Sequence, residues 1–455
     1  MLPPQLSRRS FLRTALGSTA AIALPVWFLE HSRAFAAEES TRSPNERPRI
    51  ALIGCGGQGI GIAKQARAFA DVIAVCDLDK RRVEAAANEF QGARVFHDYR
   101  QVLELRGLDA ILNGTPDHWH TFINIDAMKA GLDVYSEKPL TLTIDEGKRL
   151  VAVTRSTQRV LQTGSQQRSD ARFRLAVSLV RSGRLGKLQR IVTGLPAGPR
   201  KGPFQAAPVP EELDWDKWLG QAPSTDYVRE RCHGTFRYWL EYSGGTLTDW
   251  GAHHIDIAHW GLGLDRSGPV SVEGRALVQP IAGGFTAPSE YAIEFTYANG
   301  VTHRCESVAA NGPDGSMRGS LREGQRPHGV TFEGSDGWLF VTRGRIEASR
   351  PEIISEPLTS LPEGVEVSDN HMGNFFDCVR TRRLPICEAE IGHRSVSACH
   401  LAVIATQLGR KLQWNPQSEE FVNDPEASRY VAREQRKPYG FAGVGVTRSR
   451  AGARS

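Results

Sequence analysis

The sequence predicts an α/β protein: an N-terminal doubly wound parallel sheet, then a C-terminal α+β domain with a large open, mostly antiparallel sheet. Three observations predict this. From Arg49 to about residue 162, short apolar runs alternate with amphipathic stretches, the pattern of strands and helices in a parallel sheet covered on both faces. The first apolar run, Ile50-Ala51-Leu52-Ile53, breaks into Gly54-x-Gly56-Gly57-Gln58-Gly59 and leads at once into a helical segment. After residue 163 the alternation stops, and extended segments with period-two patterning follow, such as Tyr291-Ala292-Ile293-Glu294-Phe295.

In chain order, the expected strands are 49–53, 72–76, 94–96, 109–113, 132–136 and 159–162, with helices over 60–70, 79–90, 98–106, 119–130 and 143–156. A helix over 169–182 opens the second part. Extended segments follow at 187–195, 270–279, 289–297, 300–307, 329–333 and 337–341, then helices from Asn370 to Arg380 and Gly392 to Leu408. The implied domains are 48–162 and 163–412, with an extension over 413–455 that is expected to be loose from about 440. No repeat of 20–50 residues is visible.

The glycine spacing is that of a dinucleotide-binding turn. Gly54 makes the tight turn, Gly56 admits a pyrophosphate to the backbone, and Gly59 permits close packing of helix on strand. The helix N-terminus then offers N–H groups to phosphate. Asp77 ends the second strand, 18 residues beyond Gly59, where a carboxylate meets ribose hydroxyls. Ligands of such sheets sit beyond the carboxyl ends of the strands, so the loops after 53, 76, 113 and 136 are the ones to watch. Two are chemically rich: Thr115-Pro116-Asp117-His118-Trp119-His120 and Ser136-Glu137-Lys138-Pro139.

A second dense stretch is Gly244-Gly245-Thr246-Leu247-Thr248-Asp249-Trp250-Gly251-Ala252-His253-His254-Ile255-Asp256, continuing to His259-Trp260. If helical from about 248, it places Asp249, His253, Asp256 and Trp260 on one stripe. A carboxylate beside an imidazole fixes its tautomer and raises its basicity, which suits a general base. His253, His254, Asp256 and His259 are also metal-ligand types, but adjacent histidines point to different faces and no remote ligand stands out, so no metal is expected.

At 455 residues the chain has room for two or three cores. Its net charge is +5, but residues 1–36 carry four arginines against one glutamate, leaving +2 for the rest. That makes no case for nucleic acid or an anionic membrane. Ser7-Arg8-Arg9-Ser10-Phe11-Leu12-Arg13 reads as a twin-arginine (Tat) export motif. An apolar stretch from Thr14 to Leu29 and Ala34-Phe35-Ala36 complete a leader over 1–36, with a polar linker over 37–47. The expectation is a periplasmic or otherwise exported protein, partnered in transit by the Tat machinery, with no stable membrane anchor. Seven scattered cysteines contain no C-x-x-C pair, and most read as small buried residues; a Cys378–Cys387 disulfide stays open.

With the glycine loop, T-P-x-x-x-H, E-K-P and G-G-x-x-x-D-x-G-x-H in this order, residues 48–412 resemble the glucose-fructose oxidoreductase / inositol dehydrogenase / rhizopine catabolism (Gfo/Idh/MocA) family. The resemblance implies a Rossmann domain holding NAD(P) and a second domain that covers the nicotinamide and takes a sugar or polyol. Carried over, Lys138 would hydrogen-bond the reacting hydroxyl, with His253 as base and Asp249 as its acidic partner. Thr115, Pro116 and His120 would line the nicotinamide, and Trp119 would stack there. Gly54, Gly56, Gly57, Gln58, Gly59, Asp77, Glu137 and Lys138 complete the cofactor set. Asp77 favours NAD, while Lys80, Arg81 and Arg82 could still meet the 2′-phosphate of NADP. Substrate contacts would come from Gln166, Arg168, Arg237, Tyr238, Asp249 and His253.

The segments Trp215–Gly220, Phe236–Trp239 and Leu247–Gly251 look like an exported subgroup that includes NAD-dependent glycosidases. Export implies a tightly held, internally recycled cofactor. The expected activity is therefore sugar oxidoreduction. Alternatives are redox-neutral glycoside cleavage, with Tyr238 or His233 as an extra base, and sugar binding without catalysis. The family also implies a homo-oligomer.

Overall fold

The computed structural model describes residues 24–25, 27–29, 47–308 and 327–441. The twin-arginine motif, the Ala34–Ala36 site, residues 37–46 of the linker and the tail from 442 lie outside the described residues.

Six parallel strands form the first sheet: β1 (Arg49–Ile53), β2 (Asp71–Cys76), β3 (Arg94–Phe96), β4 (Ala110–Asn113), β5 (Asp133–Ser136) and β6 (Leu161–Thr163), in the order β3-β2-β1-β4-β5-β6. Between them run α1 (Gly57–Ala66), α2 (Lys80–Glu89), α3 (Tyr99–Leu103), α4 (Asp117–Lys129) and α5 (Ile144–Thr157). The strands match the apolar runs because a parallel sheet is buried on both faces; all but the first residue of β1 are buried. Strand order reverses between β1 and β4, the crevice where such sheets bind ligands.

The rest of the chain builds around a nine-stranded sheet. Its elements are α6 (Ala171–Arg181), β7 (Leu188–Pro196), α7 (Trp215–Leu219), α8 (Thr246–Asp249), α9 (Gly251–Leu262), β8 (Ser271–Ala276), β9 (Tyr291–Thr296), β10 (Thr302–Val308), β11 (Gly329–Gly334), β12 (Gly337–Thr342), β13 (Arg345–Ala348), α10 (Glu352–Ser355), α11 (His371–Thr381), α12 (Ala389–Leu408), β14 (Leu412–Asn415), β15 (Glu420–Phe421) and α13 (Pro425–Ser428). The strand order is β13-β12-β11-β7-β10-β9-β8-β14-β15, antiparallel except for the β7–β10 pair. Helices α6, α9 and α12 cover one face. The alternation along β9, from buried Tyr291 to exposed Glu294, leaves the other face to solvent.

Three strands escape the sequence reading: β13, β14 and β15. Each is four residues or fewer, too short for a period to register, and none stands in the strand–helix alternation that reveals the equally short β3 to β6. The late helix α11 also crosses over. Its Met372, Phe375 and Phe376 form one core with Ile50, Leu52 and Tyr135 of the first sheet. All seven cysteines are buried free thiols, so Cys378 and Cys387 are not bonded to each other. Among the described residues no helix is long and apolar enough to cross a membrane.

Candidate active site

One cavity of about 830 Å³ lies between the carboxyl ends of the first sheet and the helical layer of the second domain, near the upper end of the range for ligand pockets. All four strand-end loops singled out above reach it, through Gly54 and Gly56, Asp77 and Leu78, Thr115 and Pro116, and Glu137 and Lys138.

The glycine turn is built as its spacing requires. Gly54 has φ +90°, and a Cβ there would lie 2.5 Å from the Gly114–Thr115 backbone. A Cβ on Gly59 would sit 1.9 Å from the Gly54 carbonyl oxygen, so Gly59 serves packing and does not line the cavity. Gly56 and Gly57 do line it. A Cβ on Gly57 meets nothing within 4 Å, and one on Gly56 meets only an Arg82 nitrogen at 3.0 Å. Gly56 caps α1 with no side chain spent on its N-terminal N–H groups. Bare backbone, open space and free helix donors fit a pyrophosphate.

Asp77 lines the cavity while bracing the loops: its carboxylate accepts from the backbone N–H groups of Cys55 (2.7 Å) and Asp79 (2.9 Å). Arg82 stands beside it. Arg81 is drawn off to Glu212 (2.8 Å). Lys80 does not line the cavity.

At the far end, Lys138 from the first domain meets Asp249 from the second. The Lys138 ammonium donates to Asp249 Oδ1 at 2.5 Å and to its carbonyl at 3.1 Å. The other carboxylate oxygen lies 3.4 Å from Arg237 Nε. Burial alone would raise the Asp249 carboxyl. Lys138 and then Arg237 outweigh it and hold the group below its usual range. Glu137 is buried beneath Lys138, accepting from Gln58 (2.9 Å) and Gln166 (3.3 Å); burial pushes its carboxyl up.

His253 is 5 % exposed and lines the same cavity. Burial, followed by the charges of Lys138 and Arg343, holds it well below the ordinary histidine value, so the ring is neutral at pH 7. Its Nδ1 is buried without a hydrogen-bond partner, which leaves Nε2 as the nitrogen open to the cavity.

This corrects one expectation. Asp249 does not hydrogen-bond His253. The helix is interrupted at Trp250, between α8 and α9, and the carboxylate turns to the two cations. The expected stripe divides accordingly. Asp256 is fully buried in a bidentate pair with Arg168 (2.8 Å to each oxygen), and Trp260 stacks beneath that guanidinium at 5.1 Å.

Arg168 is a second correction. It is 2 % exposed, pairs also with Asp265 (2.6 Å), and does not line the cavity. With Nε and Nη2 committed to the two carboxylates and the side chain off the cavity wall, Arg168 is placed to hold the fold and not to contact substrate. Tyr238 is a third: its ring packs on Phe285 at 5.2 Å and is absent from the cavity wall. Gln166, Arg237 and His233 do line it. His233 Nε2 stands 3.4 Å from Asp79, on the Asp77 side.

The remaining loop residues are more structural than expected. Thr115 bonds Asn113 (2.7 Å). Both ring nitrogens of His120 face carbonyl oxygens, of Pro139 (2.7 Å) and Thr115 (2.8 Å), so His120 clips the two loops together at the cavity wall. The Trp119 indole donates to the Trp218 carbonyl (3.0 Å), its ring fills the space over Gly220, and it lines the cavity with Pro116. Gly57, Gln58, Glu137 and Lys138 complete the wall as expected from the sequence.

Asp117, Tyr439 and Arg343 are among the lining residues to which the sequence assigned no role. Asp117 stands inside the T-P-x-x-x-H motif, accepts from Ser243 Oγ at 2.5 Å, and is pushed up to about 7 by burial. Tyr439 arrives with the C-terminal strap, edge-on to Trp119 at 6.1 Å, with its hydroxyl on Asp216 (2.7 Å). Arg343 sits between β12 and β13. Asp117 was findable from its motif; nothing local marks the other two.

Comparison with known proteins agrees with this geometry. Residues 48–165 match the description "Oxidoreductase family, NAD-binding Rossmann fold", and residues 200–441 its "C-terminal alpha/beta domain". Among curated relatives, scyllo-inositol 2-dehydrogenase (NAD(+)) of Bacillus subtilis is 25% identical over 341 residues, 74% of this chain and 88% of its own length. An uncharacterized oxidoreductase, YrbE, of Bacillus subtilis is 25% identical over 227 residues, 50% of this chain and 56% of its own length. An inositol 2-dehydrogenase of Corynebacterium glutamicum is 28% identical over 158 residues, 34% and 47% respectively. The chain thus spans about half the length of the latter two. Aldose-aldose oxidoreductase from Caulobacter crescentus, solved with glycerol, shares the fold at TM-score 0.59 and 17% identity, covering 81% of this chain and 100% of that one. The WlbA dehydrogenase from Bordetella pertussis, solved with NADH and UDP-GlcNAcA, does so at TM-score 0.58 and 20% identity, covering 81% and 99%.

Proposed function

We propose that this chain, which belongs to the Gfo/Idh/MocA oxidoreductase family, oxidises or reduces a hydroxyl-bearing carbon of a sugar or polyol. One observation carries the reading. An ammonium from the first domain (Lys138) and a neutral imidazole from the second (His253) border one cavity, whose other end is a bare glycine cradle. Gly56, Gly57 and the α1 N-terminus would hold the pyrophosphate of NAD, and Asp77 its ribose. Bound there, the dinucleotide supplies the hydride acceptor; position, field and proton transfer come from the protein.

His253 Nε2 takes the proton of the substrate hydroxyl. Its low basicity keeps the ring unprotonated and ready at neutral pH. Lys138 donates to the same oxygen as negative charge builds on it, and Asp249 holds the ammonium charged and placed. His120 ties the loop that carries Lys138 to its neighbour, and Glu137 accepts from the Lys138 backbone N–H. Gln166 and Arg237 contact substrate, and relatives named for inositol support a polyol or sugar as that substrate.

The test is direct. Purified protein is mixed with free sugars, polyols and aryl glycosides while the reduced-nicotinamide absorbance is followed. Lys138→Ala and His253→Ala are expected to keep bound dinucleotide and to lose turnover by roughly 10²- to 10⁴-fold. Normal turnover in either would remove its assigned role. Aryl release with no net absorbance change would move the reading to redox-neutral glycoside cleavage.

The arginine pair Arg8-Arg9 in its leader context supports export and with it a retained cofactor, while family membership supports a homo-oligomer. Cell fractionation of an Arg8→Lys/Arg9→Lys variant, and dinucleotide content with light scattering on the purified protein, test these three together.

A further inference from the structure

We infer that the sugar taken at this site carries an anionic group, a carboxylate or a sulfate, and that Arg343 selects for it. This rests on the oxidoreductase reading of the same cavity and adds the charge class of the substrate.

Two of the three cations at the Lys138 end are ion-paired, and the third is not. Lys138 and Arg237 share one carboxylate, Asp249. His253 is neutral. Arg343 borders the same space and has no ion-pair partner among the described residues. Other carboxyls nearby are engaged. Asp170, which also lines the cavity and lies within the field of Arg343, accepts from the Arg172 N–H at 2.8 Å. Glu137 is bound by Gln58 and Gln166, and Asp117 by Ser243. Those neutral donors leave the carboxyl charges in place, so Arg343 is set apart by geometry: it faces Asp249 and Asp170 through the field but forms no ion pair among the described residues.

That guanidinium is placed. It lies 4.8 Å over the ring of Trp250. Trp250 is itself seated on two histidines, parallel to His254 (5.9 Å, 14°) and edge-on to His328 (4.5 Å, 90°). Beneath it runs a complete hydrogen-bond chain. Gln167 Nε2 donates to His254 Nδ1 (3.4 Å), His254 Nε2 to His328 Nε2 (3.3 Å), and His328 Nδ1 to the Gly194 carbonyl (3.1 Å). Each ring is satisfied as a neutral tautomer, so this layer adds no charge to offset Arg343. Burial holds the Arg343 guanidinium below its usual value, the sign of a cation partly stripped of water. A planar fork in that position suits bidentate capture of a carboxylate or sulfate. A neutral polyol leaves it without a partner.

The protein loaded with NADH is titrated with sodium D-glucuronate, with glucose 6-sulfate and with glucose, at constant ionic strength, reading nicotinamide fluorescence. The expectation is at least tenfold tighter binding of one anionic probe than of glucose. The tighter of the two identifies carboxylate or sulfate as the group. Arg343→Ala should erase the preference and Arg343→Lys should keep part of it. Equal affinity for all three probes, a preference unchanged in Arg343→Ala, or no binding of any probe would overturn the inference. A protein that prefers an anionic probe yet transfers no hydride to or from any sugar would keep this inference and lose the oxidoreductase reading.

Discussion

Replacing Arg168 by methionine should cost stability and leave substrate affinity alone. The guanidinium holds both oxygens of Asp256 at 2.8 Å and one of Asp265 at 2.6 Å, with side-chain exposures of 2 %, 1 % and 20 %. Removing it strands the Asp256 carboxylate in a fully buried site. Breaking one partner of a buried pair costs about 3–5 kcal/mol. With an m-value of about 2–3 kcal/mol/M, the urea midpoint should fall by roughly 1–2 M. Methionine retains much of the apolar stem that Trp260 packs against, so lost charge pairing dominates. The companion variant Arg168→Met/Asp256→Leu removes both charges and should recover most of the loss, because an apolar pair of similar volume tolerates the interior better than one orphaned ion. Urea unfolding and KM measured on all three proteins decide the matter. An Arg168→Met protein as stable as wild type but with a raised KM would refute the reasoning and return Arg168 to the substrate.

Two further outcomes are expected. Tyr439→Ala loses an aromatic contact with Trp119 at the edge of the cofactor cavity, worth roughly 1 kcal/mol, so NADH should bind about fivefold more weakly while kcat holds; fluorescence titration checks it. Stability should fall as pH drops from 6.5 to 4.5. Burial lowers His118, His259, His328 and His371 to about 4 and His303 and His400 to about 3, so in this window six histidines bind protons in the unfolded chain only. Burial raises Asp126 to about 6 and Asp117 and Glu146 to about 7, so three carboxyls bind protons in the folded chain only. From these nine groups the unfolded state holds about three more protons, each lowering stability by roughly 1.36 kcal/mol per pH unit of acidification. Urea midpoints that rise on acidification would contradict this sign.

The elements of the first sheet were legible because a parallel sheet buries both faces, so its strands print as apolar runs bounded by helix and turn signals. The glycine turn was legible because its demands are local: a positive φ at Gly54 and contact between Gly59 and the Gly54 carbonyl admit no side chain. β13, β14 and β15 are too short to print a period and lack the strand–helix alternation that marks the equally short β3 to β6. The strap carrying Tyr439 and Arg436 is held by Asp216, more than 200 residues away, through pairs that no short window contains. Lys138 and His253 were found through motifs. That they border one cavity is a fact of topology, set where the loop after β5 meets the start of α9.

Asp249 shows what decides a site and why spacing alone misplaces it. It stands four positions before His253, and an unbroken helix would stack the two side chains. The chain instead breaks at Trp250, and the carboxylate has cations from two other segments to choose from, Lys138 and Arg237. Charge-assisted pairing with an ammonium at 2.5 Å outweighs a contact with an imidazole that burial keeps neutral. The consequence reaches the chemistry. With no carboxylate to fix its tautomer, His253 can accept a proton at Nε2 only when Nδ1 carries the other, and that N–H is buried without an acceptor. Burial first, and then the charge of Lys138, keep His253 neutral, and Lys138 is also the group placed to stabilise a substrate oxyanion. Base and oxyanion site are tuned together, by residues that the sequence keeps more than 100 positions apart.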